Sequence, residues 1–310
     1  MTHDSPPLYV FLHIPKTAGT ALAFHVRRAF HPRHYLLLYK QFLPGCGTRD
    51  GLFNFIDGLS PARRQSLRFL IGHRAFYGVH QFFDREVRYV TAIRDVPSWL
   101  LSEYNFARTN FRRDGVTSRK VILGPTGSIV SFEEFFTQEV EANSLVRYLV
   151  DRGFCDEAVL TDLQNGHAAI ADALSKFYFI GLHERWNEDF WILNTLFGVR
   201  PQYSMSFNVS TKYVAPEAAE SFRAAIESRN SMDVYLHRLV VRRNEEFKAS
   251  QPSVVAAARA LRQRVQRNAW YWLPVVALYG LSEVMMRRFN WYAQLIKFQD
   301  RALARYFHRK

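Results

Sequence analysis

The chain has 310 residues, of which 48% are hydrophobic and 15% aromatic, so it can bury a large core and is not a disordered or fibrous protein. Its 41 Lys and Arg residues outnumber 28 Asp and Glu residues, and the net charge of +13 favours an anionic partner: a nucleotide, an acidic glycan, nucleic acid or a membrane surface. Two cysteines, Cys46 and Cys155, form no CxxC pair, which excludes a disulfide scaffold and a zinc ribbon.

The N-terminal residues lack the pattern of a secretory signal peptide. Residues 1–7 contain Asp4 and two prolines, and the apolar run that follows, residues 8–12, is short. A signal peptide has a cationic start and a longer apolar segment, and a spanning helix needs about 20 apolar residues. We therefore expect a cytoplasmic protein.

Short apolar runs alternate with segments of helical spacing along the first two thirds of the chain. The predicted strands span residues 8–13, 69–71, 88–93 and 177–180, and the predicted helices span residues 21–30, 97–108 and 185–197. This alternation predicts an α/β fold with a parallel sheet covered on both faces. The chemistry of such sheets lies beyond the carboxyl ends of the strands, where this sequence places His13, His73, Arg94 and Gly181.

From Ala215 onward the sequence is helical and basic, and its composition changes near residue 250. We predict a domain of residues 1–250 and a basic, aromatic-rich helical tail of residues 251–310. An apolar and aromatic run, residues 269–286, lies beside many arginines. Three interpretations of the tail remain open: peripheral binding to an anionic membrane surface, packing on the domain, and dimerisation.

The first predicted strand is followed by a loop with the composition of a phosphate site. Gly19 permits a close backbone approach, Lys16 adds a positive charge, and Thr17 and Thr20 supply hydroxyl groups. A loop between a strand and a helix directs its N–H groups and the helix dipole at one point, where an anion binds. The first glycine of GxxxxGK[ST] is missing, so the loop is not that of an ordinary ATPase; a capped turn with an exposed lysine is the alternative.

Several segments, taken in chain order, carry a resemblance to a known family. They are residues 11–20, 72–73, 90–95 with 102–104, Asn143 with 147–149, 180–186 and 232–236. Together they resemble the carbohydrate sulfotransferases, in particular the heparan sulfate 2-O-sulfotransferases and their bacterial relatives, over about residues 8–247. The resemblance implies a P-loop-like nucleotide-binding fold, 3′-phosphoadenosine-5′-phosphosulfate (PAPS) as the donor, and a carbohydrate or glycolipid hydroxyl as the acceptor.

The resemblance also implies which residues bind PAPS. The expected donor-binding residues are Pro15, Lys16, Thr17, Ala18, Gly19 and Thr20 at the phosphosulfate, Arg94 and Ser102 at the 3′-phosphate, and Lys212 in a segment that closes over the nucleotide. Lys16 is also expected to stabilise charge on the bridging oxygen as the S–O bond breaks. From the residues alone, an ion pair between Arg94 and Asp95 and an exposed Lys212 are the alternatives.

The sequence departs from the family beside Arg94. Related enzymes usually have Arg-Asp-Pro and a second arginine one turn later, whereas this chain has Arg94 and Asp95, then Val96, Pro97 and Trp99. The departure predicts either that a neighbouring cation such as Arg108 compensates or that the donor binds more weakly.

His73 is the predicted general base. Related enzymes carry their base histidine at the corresponding Gly-His, and an imidazole is suited to take a proton from an attacking hydroxyl. An isolated histidine is otherwise a structural hydrogen-bonding group. His13, His80 and Glu184 are reserve candidates, and Glu184 is better suited to supporting a helix N-terminus.

The sequence thus predicts in-line sulfuryl transfer from PAPS to a carbohydrate hydroxyl, with His73 and Lys16 as catalytic residues. We expect no metal, because the leaving phosphate is weakly basic and no cluster of ligands is visible. Two alternatives remain: a phosphotransferase with a degenerate P-loop, and a non-enzymatic basic protein that binds a membrane or nucleic acid. No basic and aromatic nucleic-acid motif is visible, so we expect no nucleic-acid partner.

Overall fold

The computed structural model describes residues 6–39, 43, 45–114, 123–124, 127–161, 163–199 and 211–268. Within these residues the chain forms an α/β fold around a five-stranded sheet in which all strands are parallel, in the order β2-β3-β1-β4-β5. The strands are Leu8–Leu12 (β1), Tyr35–Leu37 (β2), Phe69–Gly72 (β3), Val87–Ile93 (β4) and Phe177–Leu182 (β5).

Helices flank the sheet and connect its strands. They are Gly19–Ala29 (α1), Arg49–Asp57 (α2), Pro61–Ser66 (α3), Val96–Asp114 (α4), Phe132–Glu134 (α5), Ser144–Asp151 (α6), Leu163–Ser175 (α7), Trp186–Leu196 (α8), Pro216–Ser221 (α9), Arg223–Arg229 (α10), Ser231–Ser250 (α11) and Pro252–Arg267 (α12). A π-helical turn, Phe135–Glu139, follows α5, and short 3₁₀ turns span Pro32–His34, Val79–Phe82, Glu157–Leu160 and His183–Arg185.

The central strand β1 divides the interior into two cores. Its side chains alternate between the faces of the sheet, so Leu8, Val10 and Leu12 belong to one core, and Tyr9 and Phe11 to the other. Helices α1, α8 and α12 cover the face of Tyr9 and Phe11, while α2, α4, α6, α7 and α11 contribute to the opposite core. A parallel sheet needs both faces covered, which explains why all five residues of β1 are apolar and buried.

The predicted parallel sheet is confirmed and has one further strand, β2, and several helices, α2, α3, α5, α6 and α7, lie outside the predicted ranges. The strand β2 and the helix α2 lie in a segment that the sequence analysis left without regular structure. Thr48 caps α2 by accepting a hydrogen bond from the Gly51 N–H at 3.1 Å, and Leu52 and Ile56 are buried. β5 also continues two residues beyond its predicted end, to Leu182, and this extension moves a histidine to the edge of the sheet.

The strand order creates a crevice at the carboxyl ends of β1 and β4. These two strands are neighbours, yet the chain leaves β1 towards β2 on one side and leaves β4 towards β5 on the other. Ligands of open parallel sheets bind at such a switch point. The segment after β1 and Arg94 after β4 both lie there.

α12 packs against α8, and its Val255, Ala258 and Val265 are buried in the core that contains Tyr9. The rest of the predicted tail, residues 269–310, lies outside the described residues. In the part of the chain that the structure describes, no helix combines the length and the apolar character needed to cross a bilayer.

Candidate functional site

Polar and aromatic side chains form a row along the carboxyl edge of the sheet. In spatial order they are Tyr39 after β2, His73 after β3, His13 after β1, Arg94 after β4 and His183 after β5. Tyr39, His73 and His13 occupy the side of β2, β3 and β1, while the positive charge of Lys16 and Arg94 is concentrated where β1 meets β4, next to His183. The row therefore has two halves of different chemistry.

The segment from Leu12 to Lys16, which begins the phosphate loop (residues 13–19), is held by side chains at every carbonyl group. The donors come from β4, β3, α6, α4, the turn after β4 and the loop itself. The hydrogen bonds join Thr91 Oγ1 to Leu12 O (2.8 Å), His73 Nδ1 and Tyr148 Oη to His13 O (2.6 and 3.2 Å), Thr17 Oγ1 to Ile14 O (2.8 Å), Trp99 Nε1 to Pro15 O (3.0 Å), and Arg94 Nη1 to Lys16 O (3.5 Å).

The amide groups of the same loop remain available for a ligand. Within the described residues, the N–H groups of Lys16, Thr17 and Ala18 donate to no other backbone group. Lys16 and Ala18 have positive φ angles, 63° and 66°, a conformation that costs a non-glycine residue about 1 kcal/mol or more. When residues of positive and negative φ alternate in this way, successive N–H groups point to the same side and form a concavity that binds anions.

The loop leads directly into the N-terminus of α1. Its N-cap residue, Ala18, has no side chain that could satisfy the first N–H groups of the helix. A Cβ atom on Gly19 would lie 2.2 Å from Cδ2 of His13, so only glycine lets the buried His13 ring pack against the helix start. The helix terminus and the loop amides therefore form one site suited to a phosphate group.

The hydroxyl groups of the loop do not all point to a ligand. Thr17 is completely buried and donates to the carbonyl of Ile14, so its hydroxyl shapes the loop and its backbone amide is the group left to contact an anion. Thr20 is half-buried in the first turn of α1. Of the predicted loop residues, Thr17 thus has a different role for its side chain from the one the sequence suggests.

Lys16 and Arg94 lie together at the switch point. The Lys16 ammonium stands 4.1 Å from the centre of the Phe106 ring, and Arg94 donates to the Lys16 carbonyl. Burial, together with the Arg94 charge, lowers the pKa of Lys16, while Glu103 opposes the shift. Arg94 is also half-buried, and its Nε has no hydrogen-bond partner within the described residues. The two predicted donor-binding cations therefore belong to one positively charged site.

The alternative of an ion pair between Arg94 and Asp95 does not describe the structure. The Asp95 carboxylate pairs instead with Arg223 of α10 at 3.2 Å, and its backbone N–H donates to Glu184 at 2.7 Å. Although burial favours the neutral acid, the His237 imidazole 3.5 Å from a Glu184 oxygen and the hydrogen bond from the Asp95 N–H lower the pKa of Glu184 to about 2. Glu184 thus supports the start of α4, which agrees with its predicted structural role, and Arg94 forms no salt bridge with a residue that the structure describes.

His183 is a residue of this site that the sequence analysis missed. It follows β5 directly and lies near Arg94 and Lys16. Burial and these two positive charges lower its pKa to about 4, against the opposing effect of Glu184. His183 is therefore neutral at physiological pH, and its ring N–H is a donor beside the cations.

One face of α4 is turned to the phosphate loop. Trp99 and Phe106 both contact the loop, and Ser102 lies between them at helical spacing, on the same face. Arg108 lies elsewhere: its guanidinium stacks on the Tyr213 ring at 4.5 Å. That side chain is thus held on a different face of the helix from Trp99 and Phe106, and compensation by Arg108 stays a prediction.

Lys212 is exposed and lies in a segment that runs along α4. The neighbouring Thr211 N–H donates to Thr109 Oγ1 at 3.2 Å, and the Tyr213 N–H donates to Asn105 Oδ1 at 3.0 Å. The structure does not bring Lys212 into contact with the phosphate loop, so the exposed-lysine alternative describes its position.

His73 is bonded to the phosphate loop by its Nδ1 atom. The acceptor, the His13 carbonyl, has no proton, so Nδ1 carries the hydrogen and Nε2 of the neutral ring has the lone pair, to which no group of the described residues is bonded. Burial lowers the pKa of His73, opposed by the bond to His13 and assisted by the Arg152 charge. A half-buried, neutral imidazole with its lone pair on Nε2 has the properties of a general base.

The backbone of His73 is fixed by α6 and the residue that follows it. Tyr148 Oη lies 2.9 Å from the His73 carbonyl and 3.2 Å from the His13 carbonyl, and Arg152 Nε donates to the His73 carbonyl at 2.6 Å. Burial raises the pKa of Tyr148 to about 12, so its hydroxyl keeps its proton at neutral pH. Tyr148 thereby joins the phosphate loop to the segment that carries His73.

The reserve candidates for a base occupy structural positions. His13 is buried, its ring stacks on His73 with centroids 4.3 Å apart, and its Nδ1 forms a 2.8 Å hydrogen bond with the Tyr39 hydroxyl. His80 bonds to the Tyr89 hydroxyl at 3.1 Å, beside the amino-terminal half of β4. Of the two histidines at the carboxyl edge, His13 is buried and His73 is half-buried, so His73 remains the better-placed candidate.

No group of three or more His, Cys, Asp or Glu side chains placed to hold a metal ion occurs among the described residues. Comparison with known proteins adds no assignment: no protein-family model matches the chain, and no curated protein matches it at a significant level.

Proposed function

We propose that the chain is a PAPS-dependent sulfotransferase that transfers a sulfuryl group to a hydroxyl of a carbohydrate or glycoconjugate. One observation carries the proposal: the His13 carbonyl, within the phosphate loop, accepts the Nδ1 proton of His73. The loop that would bind the donor phosphate and the imidazole that would activate the acceptor are therefore hydrogen-bonded to each other. The ordered resemblance of the sequence to carbohydrate sulfotransferases agrees with this arrangement.

The positive half of the site supports binding of the donor. In this proposal, the amides of residues 16–19 and the Lys16 ammonium hold the 5′-phosphosulfate, and Arg94 with Ser102 holds the 3′-phosphate. A guanidinium whose buried Nε has no hydrogen-bond partner among the described residues suits the doubly charged oxyanion. The position of the loop at the switch point of a parallel sheet supports a P-loop-like nucleotide-binding fold.

The proposed reaction is a single in-line displacement. The acceptor oxygen forms a bond to sulfur while the bond from sulfur to the bridging phosphate oxygen breaks, and the electron pair leaves with adenosine 3′,5′-bisphosphate. Nε2 of His73 takes the proton of the acceptor hydroxyl. Lys16 and the loop amides stabilise the charge that grows on the leaving oxygen, which is where such transfers gain most of their rate.

The pH profile follows from the buried position of His73. Its pKa lies below the ordinary histidine value of 6.5, and the base is active when neutral. We therefore expect kcat/KM for the acceptor to fall as the pH is lowered, with the midpoint of this acidic limb below 6.5. An initial-rate profile at saturating PAPS measures this, and an acidic limb centred above 7 contradicts the assignment of His73.

Two measurements test the function. The first is the melting temperature of the protein in the presence of adenosine 3′,5′-bisphosphate, in the presence of ATP and Mg²⁺, and without ligand. The second is the transfer of radiolabelled sulfate from PAPS to a panel of glycans and glycolipids. We expect stabilisation by the bisphosphate and labelling of a glycan. A larger shift with ATP and Mg²⁺ favours a phosphotransferase. Binding that collapses with salt and is unchanged in Lys16→Ala and Arg94→Ala favours a non-enzymatic basic protein.

A further inference from the structure

Trp99 stands where the resemblance predicts a second arginine, and its side chain contacts the phosphate loop. The residue is 5% exposed, and its indole Nε1–H donates to the Pro15 carbonyl at 3.0 Å. It lies on the face of α4 that also presents Ser102 and Phe106 to the loop. The side chain that replaces a cation is therefore bonded to the phosphate loop itself.

The geometry of the peptide bond gives this contact a consequence for the ligand. In a planar trans peptide, the C=O of one residue and the N–H of the next point in opposite directions. Holding the Pro15 carbonyl against α4 therefore aims the Lys16 N–H away from α4, into the loop. The bond from Arg94 to the Lys16 carbonyl acts in the same way on the Thr17 N–H.

The backbone at this point needs such support. Lys16 adopts a positive φ of 63°, which a lysine side chain disfavours, and Pro15 has no N–H of its own to join a backbone ladder. An unbonded Pro15 carbonyl next to a buried indole would also be a polar group without a partner. The indole bond stabilises the one peptide orientation that keeps the amide directed at an anion.

We propose that Trp99 is a positioning residue that aims the Lys16 amide at the 5′-phosphate of the donor. It supplies by preorganisation what an arginine at this position supplies by charge. The inference rests on the proposed function, because it assumes that the loop binds the donor phosphate. It reverses the expectation from the sequence that the loss of the arginine weakens the donor site.

The sharpest test removes the indole N–H and nothing else. β-Benzothienylalanine, in which sulfur replaces the N–H, is placed at position 99, and calorimetry measures the affinity for adenosine 3′,5′-bisphosphate. We expect binding about five-fold weaker, the effect of one lost neutral hydrogen bond. In the transfer assay, KM for PAPS rises by the same factor while kcat changes less than two-fold, a separation that loss of folded protein does not produce.

The matched control is the same analogue at Trp191. That residue is similarly buried, on α8, and packs edge-to-face on Phe190 with ring centroids 5.3 Å apart. We expect unchanged affinity for the bisphosphate in this variant. A second variant, Trp99→Arg, separates preorganisation from charge: our proposal expects weaker binding than in the wild type, whereas a site that lacks only a cation would bind more tightly.

The possible results are distinct. If the wild-type protein does not bind the bisphosphate, the proposed function fails, whatever Trp99 does. If the wild-type protein binds it and the analogue at position 99 binds equally well, the inference about Trp99 is overturned while the function stands. Tighter binding by Trp99→Arg also overturns it.

Discussion

Replacing His73 with asparagine will reduce sulfuryl transfer by about 10²- to 10⁴-fold, the usual contribution of a general base, while leaving the affinity for adenosine 3′,5′-bisphosphate within about two-fold. The asparagine Nδ2 takes the place of the histidine Nδ1, so it can still donate to the His13 carbonyl, which lies 2.6 Å from Nδ1. The substitution keeps this donor and removes Nε2 together with the rest of the ring that stacks on His13. Transfer of radiolabelled sulfate at saturating PAPS and calorimetry with the bisphosphate measure the two effects separately.

His80→Asn is the control for this substitution. His80 also uses Nδ1 in a hydrogen bond, to the Tyr89 hydroxyl at 3.1 Å, but it lies away from the carboxyl edge. We expect its transfer rate to stay within about two-fold of the wild type. A His73→Asn enzyme that keeps more than a tenth of the activity is incompatible with His73 as the base.

Replacing Lys248 with methionine will lower the free energy of unfolding by about 3–5 kcal/mol. Its ammonium lies 2.7 Å from Asp189 Oδ1 and 2.7 Å from Glu188 Oε2, and Asp189 is completely buried. Methionine fills much of the same space but leaves the buried carboxylate without its counter-ion. The other Asp189 oxygen accepts the Leu182 N–H at 2.7 Å, so the pair also fixes the end of β5 just before His183.

Urea denaturation of Lys248→Met and of Arg185→Met compares a buried pair with an exposed one. Arg185 bonds to Glu245 at 2.8 Å, but the two side chains are 39% and 56% exposed. We expect the loss in Arg185→Met to stay below about 1 kcal/mol, because water screens exposed pairs. Equal losses in the two variants would show that the burial of Asp189 contributes nothing to the effect.

The main strands could be predicted because each is buried on both faces and therefore consists of consecutive apolar residues. β2 could not be predicted, because its three residues, Tyr35–Leu37, are too few to give a recognisable strand pattern. Their extended conformation depends on pairing with β3. α2 did leave a local signal that was not used: Thr48 as a cap, and Leu52 and Ile56 one turn apart.

The residues of the candidate site that directly follow a strand could be predicted from the sequence. Those that depend on contacts between distant parts of the chain could not. The ends of β1, β3 and β4 lead directly to Lys16, His73 and Arg94. His183 was missed because the predicted strand stopped at residue 180, short of the true end of β5. The hydrogen bonds from Trp99 to Pro15 and from Tyr148 to His73 join residues that are 84 and 75 positions apart in the sequence. A local sequence pattern does not reveal contacts between residues so far apart.

Except for Thr17, the side chains that bond to the carbonyls of residues 12–16 come from distant parts of the chain, between His73 and Tyr148. A synthetic peptide with the sequence of residues 12–20 would have the same amides and the same lysine, but it would keep only the Thr17 bond of those that orient them. In the proposed function, recognition of the donor phosphate is thus a property of the assembled sheet edge, acquired only when β3, β4, α4 and α6 are all in place. Ligand binding and completion of the tertiary structure are therefore thermodynamically linked, each favouring the other.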